Sequence, residues 1–105
     1  MSGPIVVLAV FEPVEGMVDA LREALVASIP AVHAEQGCEL YAIHDAPDDQ
    51  IYMLEKWSSV ELLDAHGSSP AVARLQELTA GLTAEPVRVL RMTPIPAGTP
   101  EQGLL

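Results

Sequence analysis

The chain has 105 residues, half of them hydrophobic, and fifteen acids against five bases give it a formal net charge of −10. That length supports one domain, the apolar fraction excludes a disordered chain despite the charge, and the lack of clustered Lys and Arg excludes a binder of nucleic acid or of an anionic membrane surface. A domain this small has a thin core, so this much apolar content also implies burial against a partner chain.

In chain order, Ile5-Val6-Val7-Leu8-Ala9-Val10-Phe11 is β-branched and apolar and predicts a buried strand, ended by Pro13 and Gly16. At eight apolar residues, 4–11, this run is too short to span a membrane. No basic stretch and small-residue cleavage site mark a secretory signal. Next, Val14, Met17/Val18, Leu21, Leu25, Ile29 and Val32 recur at three- and four-residue steps, with Glu15, Asp19, Arg22 and Glu23 off the stripe. This is an amphipathic helix, which Pro30 should kink or end. Gly37 stops it.

Residues 38–44 predict a second strand, Asp45-Ala46-Pro47-Asp48-Asp49 a turn, and Ile51–Trp57 a third strand, the two strands forming a hairpin. Ser58 and Glu61 have the spacing of a capping box for a short helix running to about His66 and stopping at Gly67. Ser69-Pro70 opens another helix, with the stripe Val72, Leu75, Leu78/Thr79 and Leu82 and a stop at Gly81. Pro86 precedes a last strand over 87–93. From Pro94 the composition shifts to Pro, Gly and Thr, which gives a domain over 1–94 and a tail over 95–105, either mobile or tied to a partner.

The order β-α-β-β-α-β, with the second helix broken at 67–70, is the α+β ferredoxin-like split pattern with an antiparallel four-stranded sheet. Helices cover one face of such a sheet. The first strand is apolar at both parities, Ile5, Val7, Ala9 and Phe11 against Val6, Leu8 and Val10. A sheet apolar on both faces wants both covered, so two sheets are expected to pack face to face in a homodimer.

No phosphate loop, nucleophile elbow or metal-ligand motif is present. The lone Cys38 allows no internal disulfide and no Cys-rich zinc site. No oxidising compartment is needed, and a soluble cytoplasmic protein is the expectation. What remains is a set of polar and aromatic residues on apolar elements. Strand alternation puts Ile51, Met53, Glu55 and Trp57 on one face. Glu55 there is either a structural acid paired with an arginine or backbone donors, or a group that orients or deprotonates a ligand. Trp57 is a core or interface anchor, or a pocket wall. His66 projects from the apolar helix face, as a core histidine bonded to a backbone carbonyl or as a general base in a cavity between helix and sheet. Tyr41 packs or donates a hydrogen bond. His44, beside a turn, is solvated or reaches a pocket, and His33 is placed at the surface. Cys38, three residues before Tyr41, is expected on the opposite face as a buried, inert thiol.

Glu35-Gln36-Gly37-Cys38-Glu39-Leu40-Tyr41 resembles the E-P-G-C-x-x-Y segment of the antibiotic biosynthesis monooxygenase family. Glu55-Lys56-Trp57-Ser58-Ser59, followed by Asp64-Ala65-His66, resembles that family's E-x-W-x-[ST] … x-x-H segment, and Ser69-Pro70 and the last strand with Pro94 also fit. The likeness covers about residues 4–96, and Gln36, where the family often has proline, is a local departure. It implies a dimeric α/β barrel of two ferredoxin-like units, and a cofactor-independent monooxygenase that turns a quinol, phenol or anthrone into a quinone with dioxygen. Neither cofactor nor metal is expected.

In that reading His66 is the base, Tyr41 hydrogen-bonds or relays a proton, and Glu55 orients a donor. Trp57, which would stack on the substrate, completes the substrate-binding set with Met53 and His44. Haem-degrading relatives use an Asn-Trp-His set, and this chain has no asparagine. An isomerase or lyase on the same scaffold, or a non-enzymatic ligand-binding or stress-related dimer, are the alternatives.

Overall fold

A computed structural model describes residues 3–105. Seven elements follow in order: β1 (Ile5–Phe11), α1 (Val18–His33), β2 (Cys38–Asp45), β3 (Ile51–Trp57), α2 (Val60–Gly67), α3 (Pro70–Thr79) and β4 (Arg88–Met92). The four strands form one sheet in the order β2-β3-β1-β4, antiparallel throughout. This is the α+β ferredoxin-like arrangement expected from the sequence, with the three helices on one face. Among the described residues no helix is long and apolar enough to cross a membrane.

The register follows the period-two alternation of the strands. Ile5, Val7, Ala9 and Phe11 of β1, with Ile51, Met53 and Trp57 of β3, pack under the helices with Leu21, Leu25 and Val32 of α1 and Leu75 of α3. The opposite face carries one wholly apolar row across all four strands, Ala42–Leu54–Leu8–Leu90. No helix covers that row, and Leu90 at its end is 55% exposed.

Several local expectations change. Pro30 does not end α1, which runs three residues further; its missing N–H is lost beside Val26, on the exposed side of the helix. The cap of α2 is Ser59, whose hydroxyl accepts from the Leu62 N–H at 3.2 Å, not Ser58. The Ser58 N–H still donates to Gly37 O at 2.9 Å, so that residue belongs to the strand edge and the helix starts one position later.

A β-bulge lies between Cys38 and Leu40, so that Cys38 pairs with Trp57 and Tyr41 with Glu55. The extra residue cancels the odd spacing. Cys38 and Tyr41 therefore share the helix-covered face, where both pack on the core, contrary to simple alternation. Burial and the charges of Glu35 and Glu55 push the Cys38 thiol up from its ordinary value, away from reactivity.

Leu82 falls outside α3, half-buried in a segment whose Leu82 O and Ala84 N bond to Val14 N and Glu12 O. Residues past Pro94 are tied to their own chain. Thr99 O accepts from Gly103 N, and Lys56, on the sheet face that no helix covers, donates to Leu105 O, so the tail reaches the Val6–Met92 end of that face.

Candidate active site

Strand order decides where the helix layer is hollow. Helix α1 lies over the β2 side, and α2 and α3 leave a cavity of about 280 Å³ against β1 and β4. Its walls are apolar, chiefly Val7, Ala9, Phe11, Leu63, Val72 and Leu75, and it opens toward the edge strand, where Val89 and Arg91 are exposed. Three of the residues singled out in the sequence line it: Tyr41, Glu55 and His66. Each is buried, at 4%, 6% and 7% exposure.

Cross-strand pairing explains the grouping. Tyr41, Glu55, Val7 and Arg91 form one transverse row over β2, β3, β1 and β4. His66 comes down onto this row from α2. Its ring lies 4.4 Å from that of Trp57, tilted by 31°, and 5.5 Å from that of Tyr41, edge-on at 72°. The Trp57 indole N–H donates to Glu55 Oε1 at 2.9 Å. His66 Nδ1 lies 2.7 Å from Glu35 Oε2.

The Tyr41 hydroxyl, Glu55 Oε2 and His66 Nε2 have no partner among the described residues. Among the described residues, every fully buried side-chain nitrogen or oxygen has a partner. These three therefore reach accessible space, and the cavity that their residues line supplies it.

Burial pushes the Tyr41 phenol well above its ordinary value, and the nearby charges of Glu55 and Glu35 add to this. It stays a neutral O–H donor at physiological pH. Burial also raises Glu55, against the opposing pull of the Trp57 N–H, His66 and Arg91. Glu55 is thus held by an indole, where an arginine or backbone donors were one expectation. His66 is held by a carboxylate, not a backbone carbonyl.

The structure does not bring the expected substrate-binding set to this cavity. Trp57 and Met53 are wholly buried in the core and line no part of it. Trp57 instead backs the His66 ring and holds Glu55. His44 points from the opposite face of the sheet, exposed, with Nδ1 3.2 Å from Tyr52 O. His33 is exposed as expected, its Nε2 3.0 Å from Tyr41 O.

Two site residues were not assigned a role from sequence. Glu35 was visible within the E-x-G-C segment, but nothing local pairs it with a histidine thirty-one positions away. Arg91 stands at the cavity mouth, bonded to Asp64 at 2.8 Å. Only its odd parity in β4, shared with Val89, could have placed it on this face.

Comparison with known proteins agrees with this architecture. The antibiotic biosynthesis monooxygenase family pattern matches residues 4–78. Rv0793 of Mycobacterium tuberculosis, named provisionally as a monooxygenase, is 31% identical over 96 residues, which cover 90% of this chain and 95% of that protein. Its solved structure superposes with a TM-score of 0.82 over 92% of this chain and 100% of that one, at 30% identity. Solved structures of SO0527 from Shewanella oneidensis (26% identical, TM-score 0.77, 88% and 91% of the two chains) and PA3566 from Pseudomonas aeruginosa (25%, 0.80, 90% and 97%) share the fold.

Proposed function

The chain belongs to the antibiotic biosynthesis monooxygenase family, and on that premise we propose that it oxidises a small aromatic hydroxyl compound to a quinone with dioxygen, without a cofactor. The observation that carries this is the convergence of Tyr41, Glu55 and His66 on one apolar cavity. At about 280 Å³ it falls at the lower end of ligand-pocket sizes, which suits a compound of one to three fused rings: a quinol, a phenol or an anthrone.

Dioxygen is a triplet and reacts slowly with closed-shell molecules, but a phenolate is electron-rich enough to pass it one electron. The protein must therefore make and hold the anion. His66 Nε2 takes the hydroxyl proton, and the electron pair of that O–H bond stays on the substrate oxygen. Tyr41, kept protonated by burial, donates to that oxygen. Glu55, fixed by the Trp57 N–H, orients the opposite side of the ring. The apolar walls keep water from the reactive intermediate. For a phenol, one oxygen atom of O₂ ends on the ring carbon. The other leaves as water, with the hydrogen of that carbon and the hydroxyl proton.

A second copy of this chain packs on the sheet face that no helix covers, over its central row. The apolar row Ala42–Leu54–Leu8–Leu90 supports this part of the reading.

The test is oxygen uptake by the metal-free protein with a panel of hydroquinones and anthrones. Expected is one dioxygen consumed per product molecule, one labelled atom retained in it and the other released as water: an anthrone gives the quinone, and a hydroquinone, which already carries both oxygens, gives the hydroxylated quinone. Substrate turnover with no oxygen uptake would replace this reading with an isomerase or lyase, in which His66 shuttles a proton.

A further inference from the structure

The geometry points to Glu35 as the residue that fixes the tautomer of His66, so that the ring nitrogen facing the cavity is a proton acceptor. This deepens the proposed role of His66 and rests on it. The carboxylate oxygen lies 2.7 Å from Nδ1, and the two side chains are only 18% and 8% exposed. An ionised carboxylate can only accept a hydrogen bond. Nδ1 must therefore carry the proton of the neutral imidazole, which leaves the lone pair on Nε2.

That nitrogen has no partner among the described residues, and its residue lines the cavity. In water the imidazole side chain prefers the other tautomer, with its proton on Nε2. In that form the cavity nitrogen would be a donor, unable to take a proton from a substrate hydroxyl. Without Glu35 the base would be present but wrongly protonated.

The surroundings leave the ring little freedom to choose otherwise. Trp57 lies against its face and the edge of Tyr41 against its side. The charged or titratable groups around it are Glu35 from the α1–β2 turn, Tyr41 from β2, Glu55 from β3 and Arg91 from β4, with Cys38 of β2 on the same sheet face. Of these, Glu35 is the one bonded to the ring.

The turn that carries Glu35 is itself clamped against α2. Glu35 N donates to Val32 O at 2.9 Å, and Gly37 follows at φ +86. A Cβ at Gly37 would stand 2.6 Å from Leu62 Cδ1, so only glycine lets the turn lie under the helix that bears His66. When the substrate O–H bond breaks and the new N–H forms at Nε2, the imidazolium charge arises beside Glu35. Glu35 does not line the cavity. It is a positioning residue, like the carboxylate behind many catalytic histidines.

The experiment is long-range nitrogen–proton correlation NMR of the labelled chain at about pH 8, where an ordinary imidazole is neutral. The His66 signals are assigned by their loss in His66→Gln. Expected is a proton on Nδ1 in the parent and in Glu35→Gln, whose side-chain carbonyl still accepts. In Glu35→Leu the proton moves to Nε2, and with a working substrate kcat falls at least about tenfold while KM stays nearly level.

A parent spectrum with the proton on Nε2 overturns the inference without any variant, and so does a folded Glu35→Leu that keeps it on Nδ1. The spectrum needs no substrate. A panel in which nothing is oxidised therefore removes the proposed function and leaves the tautomer decided on its own evidence.

Discussion

On the helix-covered face, the transverse row Tyr41–Glu55–Val7–Arg91 places ionisable groups among apolar walls; on the other face, the neighbouring row Ala42–Leu54–Leu8–Leu90 is apolar from edge to edge. The same four strands supply both rows, one residue apart. A buried polar group is costly unless something meets it. On the first face the indole of Trp57, the carboxylate of Glu35 and the open cavity meet these groups. On the second face nothing polar has to be met in the central row, and the titratable residues His44, Tyr52, Lys56 and Arg88 stand in the flanking rows. The first face carries the candidate site, and the second is the face on which a second copy is proposed to pack.

The comparison can be broken most forcefully at Trp57. Its side chain is fully buried and supports both Glu55 and His66, so Trp57→Ala should cost about 3–5 kcal/mol of stability. Denaturant unfolding measures this. A normally stable variant with weakened aromatic ligand binding would return Trp57 to the pocket wall.

Next is Leu54→Asp, which puts a carboxylate in the central row of the face on which a second copy is proposed to pack. Sedimentation or light scattering should show a dimeric parent and a monomeric variant, with association weakened at least about a hundredfold. A parent that is monomeric at micromolar concentration sinks the association role of that face.

The histidines sharpen the contrast more finely. His66→Ala should lower quinol or anthrone oxidation at least about tenfold while the fold persists. His44→Ala, on the other face, should leave it within about twofold. Equal losses in the two variants would dissolve the distinction between the faces.

The smallest effect concerns Glu55. Burial raises its folded value above the ordinary 4.5. Its contribution to stability is thus fully present below that ordinary value and is lost as pH rises through the raised one. Glu55→Gln keeps an acceptor for the Trp57 N–H and removes the charge. It should melt a few degrees higher than the parent at about pH 8 and no higher at about pH 4. A lower melting point at the higher pH would mean that the ionised carboxylate is itself stabilising, through His66 and Arg91.

Much of this molecule is local in origin and was legible in the residues. Alternation in Ile51–Trp57 set which side chains face the helices, because successive strand residues must point to opposite sides. The three- and four-residue spacing of Leu21, Leu25 and Val32 set the buried side of α1, and Ser69-Pro70 set the start of α3. Element order then left few topologies to choose from. The candidate trio Tyr41, Glu55 and His66 was visible as polar residues on apolar elements.

Tertiary packing alone decided how those residues meet. One extra residue between Cys38 and Leu40 turned Cys38 to the side of Tyr41, and no local preference announces a bulge. Glu35 reaches His66 only because the α1–β2 turn is pressed under α2, a contact between segments distant in sequence. Trp57 was drawn into the core rather than the pocket because the helix layer closes over it, while the hollow lies between α2, α3 and the β1–β4 side of the sheet and reaches only Tyr41 and Glu55 of β2 and β3. Periodicity determines which way a side chain points, since it depends only on the backbone of its own element. What that side chain touches depends on where the other elements come to rest, and for this chain that decided which residues line the cavity.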